Sequence, residues 1–369
     1  MSIGKFSEFY VDVTKDATKI PQEQYLAAGR YPIIDQGQKL IAGMWDNPDG
    51  LYEKVPAIVF GDHTRTIKYV DTPFFIGADG VKVLRPVHAG DNVKYLFYVL
   101  QAARIPNLGY SRHFKVVKEL EIRMYPRKKQ DEIVRVLEQI DSLLEQRQNE
   151  ILQMDILVKS RFVEMFIGKG YEEKSVRDVL DTAFWLMPAT PKFVENGSIP
   201  YITSKNIKNR SIDFDNVKYI TTEAYESISS NRPTQIGDIL ISMIGTLGQT
   251  AVIKDARRFY GQNLYLLRLN ASVINTVFFC EFFNSDRAQH KLQAKRNQST
   301  QAYLKANHVE DLLLPLPPME IQEQFAAFVA EVDKSKFRIQ KSLLASRKLW
   351  TMAQIDAIMN MDFSTQRSL

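Results

Sequence analysis

The chain has 369 residues, 48 Lys and Arg against 43 Asp and Glu for a net charge of +5, and is 45% hydrophobic and 25% charged. These proportions exclude a disordered polyelectrolyte and leave room for two domains, and the basic balance is compatible with a nucleic-acid partner. One cysteine, Cys280 in the run TVFFCEFF, excludes an internal disulfide and reads as a small buried hydrophobe, while no apolar run reaches membrane-spanning length and MSIGKFSEFY lacks a signal core, so a cytoplasmic location is expected.

Residues 1–125 read as a first globular unit. Strand-like runs (PAIVF, GVKVL, ELEIRMY) alternate with turn sequences such as DNPDG and GADG, and NVKYLFYVLQAARI reads as one helix. Within the segment 126–168, Gly and Pro are absent from 127 to 167. Apolar residues recur there at steps of four and three: Ile133, Leu137, Ile140, Leu144, Ile151, Met154 and Val158, with Arg147 in a polar slot. So sustained a 3.5-residue period predicts a coiled-coil-like helix of about 60 Å. Residues 169–317 form a second unit, with strands near SIPYIT, GDILISMIG and NLYLLRLN and a helix at NTVFFCEFFNSDRAQHKLQAK.

The segment 318–369 repeats the long helix over 319–360. Phe325, Val329, Val332, Ile339, Leu343 and Trp350 share one register, with Lys336 and Ser346 in its polar slots. Pro126 and Pro318 stand 192 residues apart, and the same offset sets Gln130 on Gln322, Asp141 on Asp333, Gln148 on Gln340, Leu152 on Leu344 and Leu157 on Leu349. The globular units match in order too: AIVFGDHTRT with DILISMIGTLGQ, GVKVLRP with NLYLLRL, and KYLFYVLQAARI with TVFFCEFFNSDRA. Two apolar stripes need partners, and the simplest partner of each is the other. The expected fold is α+β: a pseudo-two-fold tandem repeat of two globular units joined by two long antiparallel helices.

The junctions LLLPLPPMEIQEQF and ELEIRMYPRKKQDEIV each run from a strand through proline into a long helix. This arrangement, found twice, resembles the specificity subunit of a type I restriction–modification system. The first junction departs from the family form, with Met-Tyr-Pro-Arg for the Leu-Pro-Pro run and Gln-Asp-Glu for Glu-Gln. The resemblance implies that 1–125 and 169–317 are target recognition domains, each reading one part of a split site in double-stranded DNA. The helices would space them and dock two modification subunits, which carry S-adenosylmethionine. Restriction subunits using ATP and Mg would join that assembly, and this chain would itself hold no cofactor or metal and perform no catalysis.

Polar loops supply the candidate DNA contacts. In the first unit these are His63, Thr64, Arg65 and Lys68 after a strand, then Ser111, Arg112, His113 and Lys115. In the second they are Ser204, Lys205, Asn206, Lys208 and Arg210 in a stretch without apolar period, Thr246 and Gln249 in a Gly-rich loop, and Arg296, Asn297, Gln298, Thr300 and Gln301. Arg can fork to guanine, Asn and Gln to adenine, and Lys, Ser and Thr suit phosphates. Each such residue could equally belong to a solvated loop.

Enzyme signatures are missing. Gly245-Thr246-Leu247-Gly248 lacks the Lys-Ser/Thr of a phosphate loop, and the five histidines show no ligand spacing. Asn47-Pro48-Asp49-Gly50 is a turn rather than an adenine-methyltransferase tetrad, and no nuclease carboxylate cluster stands out. The rival reading, a self-sufficient DNA methyltransferase or endonuclease with its own recognition domain, therefore lacks its chemistry.

Overall fold

The computed structural model describes residues 2–77, 79–109, 111–186, 191–208, 210–229, 233–245, 247–295 and 303–354. The chain divides into two compact units, Met1–Asn149 with Gln340–Leu369, and Glu150–Ile339. This partition cuts across the four segments expected from sequence, because each long helix contributes one half to each unit.

The first unit runs β1 (Ser2–Lys5), α1 (Phe6–Phe9), β2 (Tyr10–Asp12), β3 (Tyr31–Ile34), β4 (Gly43–Trp45), β5 (Ala57–Gly61), β6 (Ile67–Val70), β7 (Phe75–Ile76), β8 (Val81–Pro86), α2 (Val93–Ala102), α3 (Phe114–Val117) and β9 (Glu121–Met124) into helix α4 (Arg127–Phe166). Its main sheet has the order β2-β8-β5-β6, a second sheet the order β4-β3-β7, and β1 pairs with β9. Strand β5, AIVFG, is buried at every position, as an uninterrupted apolar run in mid-sheet should be. In β6 burial alternates, as on a half-covered edge. Asn92 caps α2, its side chain accepting from the backbone N–H groups of Lys94 and Tyr95. The core packs Phe60, Leu84, Tyr95, Leu96 and Phe114 against Ile133, Val134 and Leu137 of α4, with Trp350 at its margin.

The second unit repeats this order. It runs β10 (Glu173–Ser175), β11 (Leu180–Trp185), β12 (Ile199–Ile202), β13 (Ile207–Lys208), β14 (Ser211–Ile212), β15 (Lys218–Ile220), α5 (Thr222–Ser229), β16 (Ile239–Ser242), β17 (Thr250–Val252), β18 (Tyr260–Gly261), β19 (Leu264–Leu269), α6 (Thr276–Phe283), α7 (Asp286–Ala294), α8 (Ala306–Glu310) and β20 (Leu313–Pro315) into helix α9 (Met319–Gln354). Sheets β11-β19-β16-β17, β15-β12-β18 and β10-β20 match the three of the first unit strand for strand. Even the parallel pair recurs, β3 with β7 and β12 with β18. The β13–β14 hairpin, α5 and α7 are additions. The hairpin departs from the sequence expectation of an open loop: Ile207 is buried and pairs with Ile212.

Each long helix starts at its proline. The Pro126 carbonyl accepts from Lys129 and Gln130, and that of Pro318 from Ile321 and Gln322. Helix α4 stops before Gly168, which takes φ +71° and so ends the helix without a Cβ clash. Within the second unit, Asp155 meets Lys336 at 2.5 Å while Phe162 stacks edge-on to Phe325. Rising numbers on one helix meet falling numbers on the other, so the pair is antiparallel there. Phe162, Phe166, Phe278 and Phe325 pack ring to ring and seat the head on both helices.

Candidate nucleic-acid interface

In the first unit the chain leaves β5 through a tight turn, and three other loops are tied to that turn. Asp62 is the knot. Its N–H donates to the Gly80 carbonyl at 2.6 Å, its carboxylate accepts the Phe114 N–H at 2.7 Å, and its carbonyl accepts the His113 N–H at 2.9 Å. The His113 ring adds Nδ1 at 2.8 Å from the same carbonyl. A carbonyl only accepts, so Nδ1 carries the proton, and Nε2 is free to accept from the Leu108 N–H at 3.1 Å. Gln36 links a fourth segment: its Oε1 accepts from His63 N–H at 3.2 Å, its Nε2 donates to the Asp79 carbonyl at 3.0 Å, and its own carbonyl accepts from Thr64 Oγ1 at 2.6 Å.

The exposed side chains of this cluster are Thr64, Arg112 and Lys115, with His63, Arg65 and Ser111 partly covered. Arg65 takes φ +61° and donates to the Ile105 carbonyl at 3.1 Å. Lys19 binds Asp79 at 2.9 Å, and that hydrogen bond, with Arg112 contributing more weakly, holds the Asp79 carboxyl below the usual range. Gln36, Lys19 and Asp79 were not singled out from sequence. The sequence offered the turn-rich run IDQGQ around Gln36 and the turn GADG around Asp79, and neither shows where a side chain points.

Two expected contacts are corrected. His113 is fully buried as the pin between loops. Lys68 is also buried, its ammonium donating to the carbonyls of Asp35 at 2.7 Å and Lys39 at 2.5 Å. Burial depresses its pKa, and Asp35 opposes that shift. Lys68 anchors the loop 35–42 instead of meeting phosphate.

The second unit brings the matching loops together. Met243 donates to the Asn263 carbonyl at 3.1 Å and accepts from Leu304 at 2.8 Å, and Ile244 bridges Tyr303. Gly245, at φ +84°, is exposed, and a Cβ there would lie 3.3 Å from Ser204 Oγ, so this turn passes close to the loop after β12. Lys205 and Lys208 are exposed, Ser204 and Gln249 partly so. Lys208 pairs with Asp213 at 2.8 Å. Asn206 is spent locally, capping Thr203 and donating to the Asp213 carbonyl at 3.0 Å. Arg210 is a third correction: it turns inward to Glu281 and Asp333. Thr246, Arg296, Asn297, Gln298, Thr300 and Gln301 lie outside the described residues.

Among the described residues, no group of three or more His, Cys, Asp or Glu is placed to hold a metal ion. Burial, then the neighbouring Glu281, pushes the Cys280 thiol up to about 12, which keeps it an inert apolar filler. Among the same residues, no helix is long and apolar enough to cross a membrane. Of the helix positions expected to face the other helix, Ile133 and Leu137 are buried in the core of the first unit's head, Phe325, Val329 and Val332 are buried in the core of the second unit, and Ile140, Leu144, Ile151, Leu343 and Trp350 are half-buried.

The type I restriction modification DNA specificity domain matches the chain twice, over residues 9–153 and 168–346. A specificity subunit of a type I restriction enzyme from Escherichia coli is 27% identical over 219 residues, 52% of each chain. The chain thus matches that relative over about half of the relative's length. Among solved structures, the S subunit of a type I restriction-modification system from M. genitalium superposes with a TM-score of 0.57 at 15% identity, covering 98% of this chain and 96% of that one. A second chain, solved in work on assembly and conformational transition of the type I R-M system, gives 0.56 at 15% identity over 96% and 97%. At that identity the likeness is one of fold.

Proposed function

This chain belongs to the family of type I restriction modification DNA specificity domains, and on that premise we propose that it is the sequence-reading subunit of a modification and restriction assembly. Each unit reads one half of a bipartite site in double-stranded DNA, and the long helices set the spacing between the halves. The observation that carries this reading is the duplicated scaffold with unlike polar segments: exposed Thr64 after β5 and Arg112 and Lys115 around the start of α3 in one unit, exposed Lys205 and Lys208 after β12 in the other. Equal scaffolds with unequal loops suit two different half-sites.

The methyl transfer belongs to partners carrying S-adenosylmethionine, and ATP and Mg to restriction subunits. The outward faces of the helices support two copies of a modification subunit. Leu152 and Leu344 are 57% and 61% exposed, and Leu157 and Leu349 are 50% and 61% exposed. These are two pairs related by the repeat, so one kind of apolar socket could engage both.

The test is to express the chain with its modification subunit and map methylated positions genome-wide. The expected product is a split motif, and Arg112→Ala relaxes only one half of it. A contiguous unsplit motif, or stoichiometric S-adenosylmethionine binding by the isolated chain, would overturn the proposal.

A further inference from the structure

The two units differ beside one edge strand. In the second, residues 203–217 carry the β13–β14 hairpin along β17: Arg210 bridges Ala251, and its carbonyl accepts from the Val252 N–H at 3.5 Å. Arg210 takes φ +60° and directs its guanidinium to buried Glu281 on α6 and, at 3.7 Å, to Asp333 on α9. In the first unit the matching segment, 35–42, is shorter and folds back onto Lys68. Lys68 and Ala251 hold the same register, opposite Val59 and Leu240. Ala251 leaves room for the hairpin where Lys68 instead grips its own loop.

The space that the hairpin fills in the second unit therefore stays open in the first, as a groove of about 660 Å³. Its walls correspond position by position. Tyr98 follows the cap Asn92 by the same step as Glu281 follows Asn275. Asp141 stands at the 192-residue repeat of Asp333. Tyr98 donates to Asp141 at 2.7 Å, replacing the Glu–Arg–Asp bridge with a direct contact. Glu138 and Glu145 flank Asp141 one turn away on either side, and Tyr69 lines the strand wall. Lys94 binds Glu138 at 2.7 Å and lies 4.9 Å from the Tyr69 ring, so the groove already holds one cation between an acid and an aromatic face. Glu145 is exposed and has no ion-pair partner among the described residues. Strand β6 ends its sheet and offers a free backbone edge.

We infer that this groove seats an extended, arginine-bearing segment of a protein partner, in the position that Arg210 occupies within the second unit. The backbone edge of β6 would pair with the incoming strand, and Asp141 and Glu145 would receive the guanidinium, which forks to carboxylates and stacks on tyrosine. Glu138, Asp141 and Glu145 outnumber the lining lysines, Lys68 and Lys94, which are already held by loop carbonyls and by Glu138, so the groove disfavours DNA phosphate and is set apart from the polar loop cluster.

The probe is a cyclised, fluorescent peptide of residues 205–214, the hairpin's own sequence, titrated into the full-length chain. Saturable binding is expected, weakened roughly tenfold or more both by Arg210→Ala in the peptide and by Glu145→Lys in the chain. Glu145 is exposed, so its loss of binding is not a loss of fold. Asp141→Asn, which keeps an acceptor for Tyr98, should act in the same direction. No binding at about 1 mM peptide, or binding indifferent to these changes, would overturn the inference. DNA binding by the same variants is measured in parallel and should be unchanged, so failure here is distinguishable from failure of the DNA-reading proposal.

Discussion

Gln130 Oε1 accepts the backbone N–H of Asn92 at 2.7 Å, tying the cap of α2 to the first turn of the long helix that follows. Its Nε2 donates to Asp91 Oδ1 at 2.9 Å and to the Tyr125 carbonyl at 2.8 Å, so a fully buried amide is satisfied at both ends. Gln322 does the same in the second unit: it accepts from Asn275 N–H at 2.8 Å and donates to the carbonyls of Val273 and Pro317. Gln130→Ala and Gln322→Ala each strand buried polar groups, and each should cost about 2 to 3 kcal/mol in urea unfolding. A loss below about 0.5 kcal/mol would mean that the clamp is dispensable.

Phe166 contacts Phe162, Phe278 and Phe325 and is 1% exposed. Phe166→Ala should cost about 3 to 5 kcal/mol through lost burial and the cavity left behind. Val163, on the same helix but 53% exposed, gives the control: Val163→Ala should stay within about 0.5 kcal/mol. Thermal unfolding of both variants separates the two expectations.

Arg112 and Lys68 should behave oppositely. Arg112→Ala should cost about 1 to 3 kcal/mol of DNA discrimination in the first half-site, with stability intact. Lys68→Met should loosen the loop 35–42, lowering stability while leaving the salt dependence of DNA binding unchanged. A reduced salt slope for Lys68→Met would return that lysine to the interface.

Inserting four residues after Leu152 adds about one helical turn, roughly 5.4 Å. The gap between half-sites should then grow by one or two base pairs at about 3.4 Å each. Methylation-site mapping reads this directly, and an unchanged gap at full activity would rule out the spacing role.

Burial raises the Glu281 carboxyl pKa, and Arg210 only partly opposes it. A raised folded-state pKa means that the folded protein holds the proton more tightly than the unfolded chain. This contribution is full below the unfolded pKa of about 4.3 and is lost as pH rises through the folded value. Glu281→Gln should therefore match the wild type near pH 4 (roughly the unfolded pKa) and exceed it in stability by pH 7, as denaturant melts at the two values would show. A less stable variant at pH 7 would mean that the ion pair outweighs the desolvation.

Much of the fold was legible because its signals are local. The 3.5-residue ladder marked Leu137 and Val329 as apolar seam positions, though Leu137 is buried against its own head, and the prolines marked both helix starts. The 192-residue offset anticipated that Gln130 and Gln322 play one part, though not what the part is. The candidate interface was less legible, since residue type does not fix side-chain direction. Lys68 sits in an alternating edge strand and could have faced either way; its carbonyl partners, Asp35 and Lys39, lie 33 and 29 residues earlier. Arg210 looked like one cation in a polar stretch, because Glu281 and Asp333 become its neighbours only through the tertiary fold.

The bare leucines of the long helices carry a consequence for supply within a cell. Leu152, Leu157, Leu344 and Leu349 sit in water until something covers them, and uncovered apolar patches promote association and loss from solution. A chain synthesised beyond the amount of its covering partner should aggregate or be degraded, while covered chains persist. The stock of usable recognition subunits is then capped by partner abundance without any dedicated regulator, and overexpressing this chain alone should raise the insoluble fraction more than the soluble one.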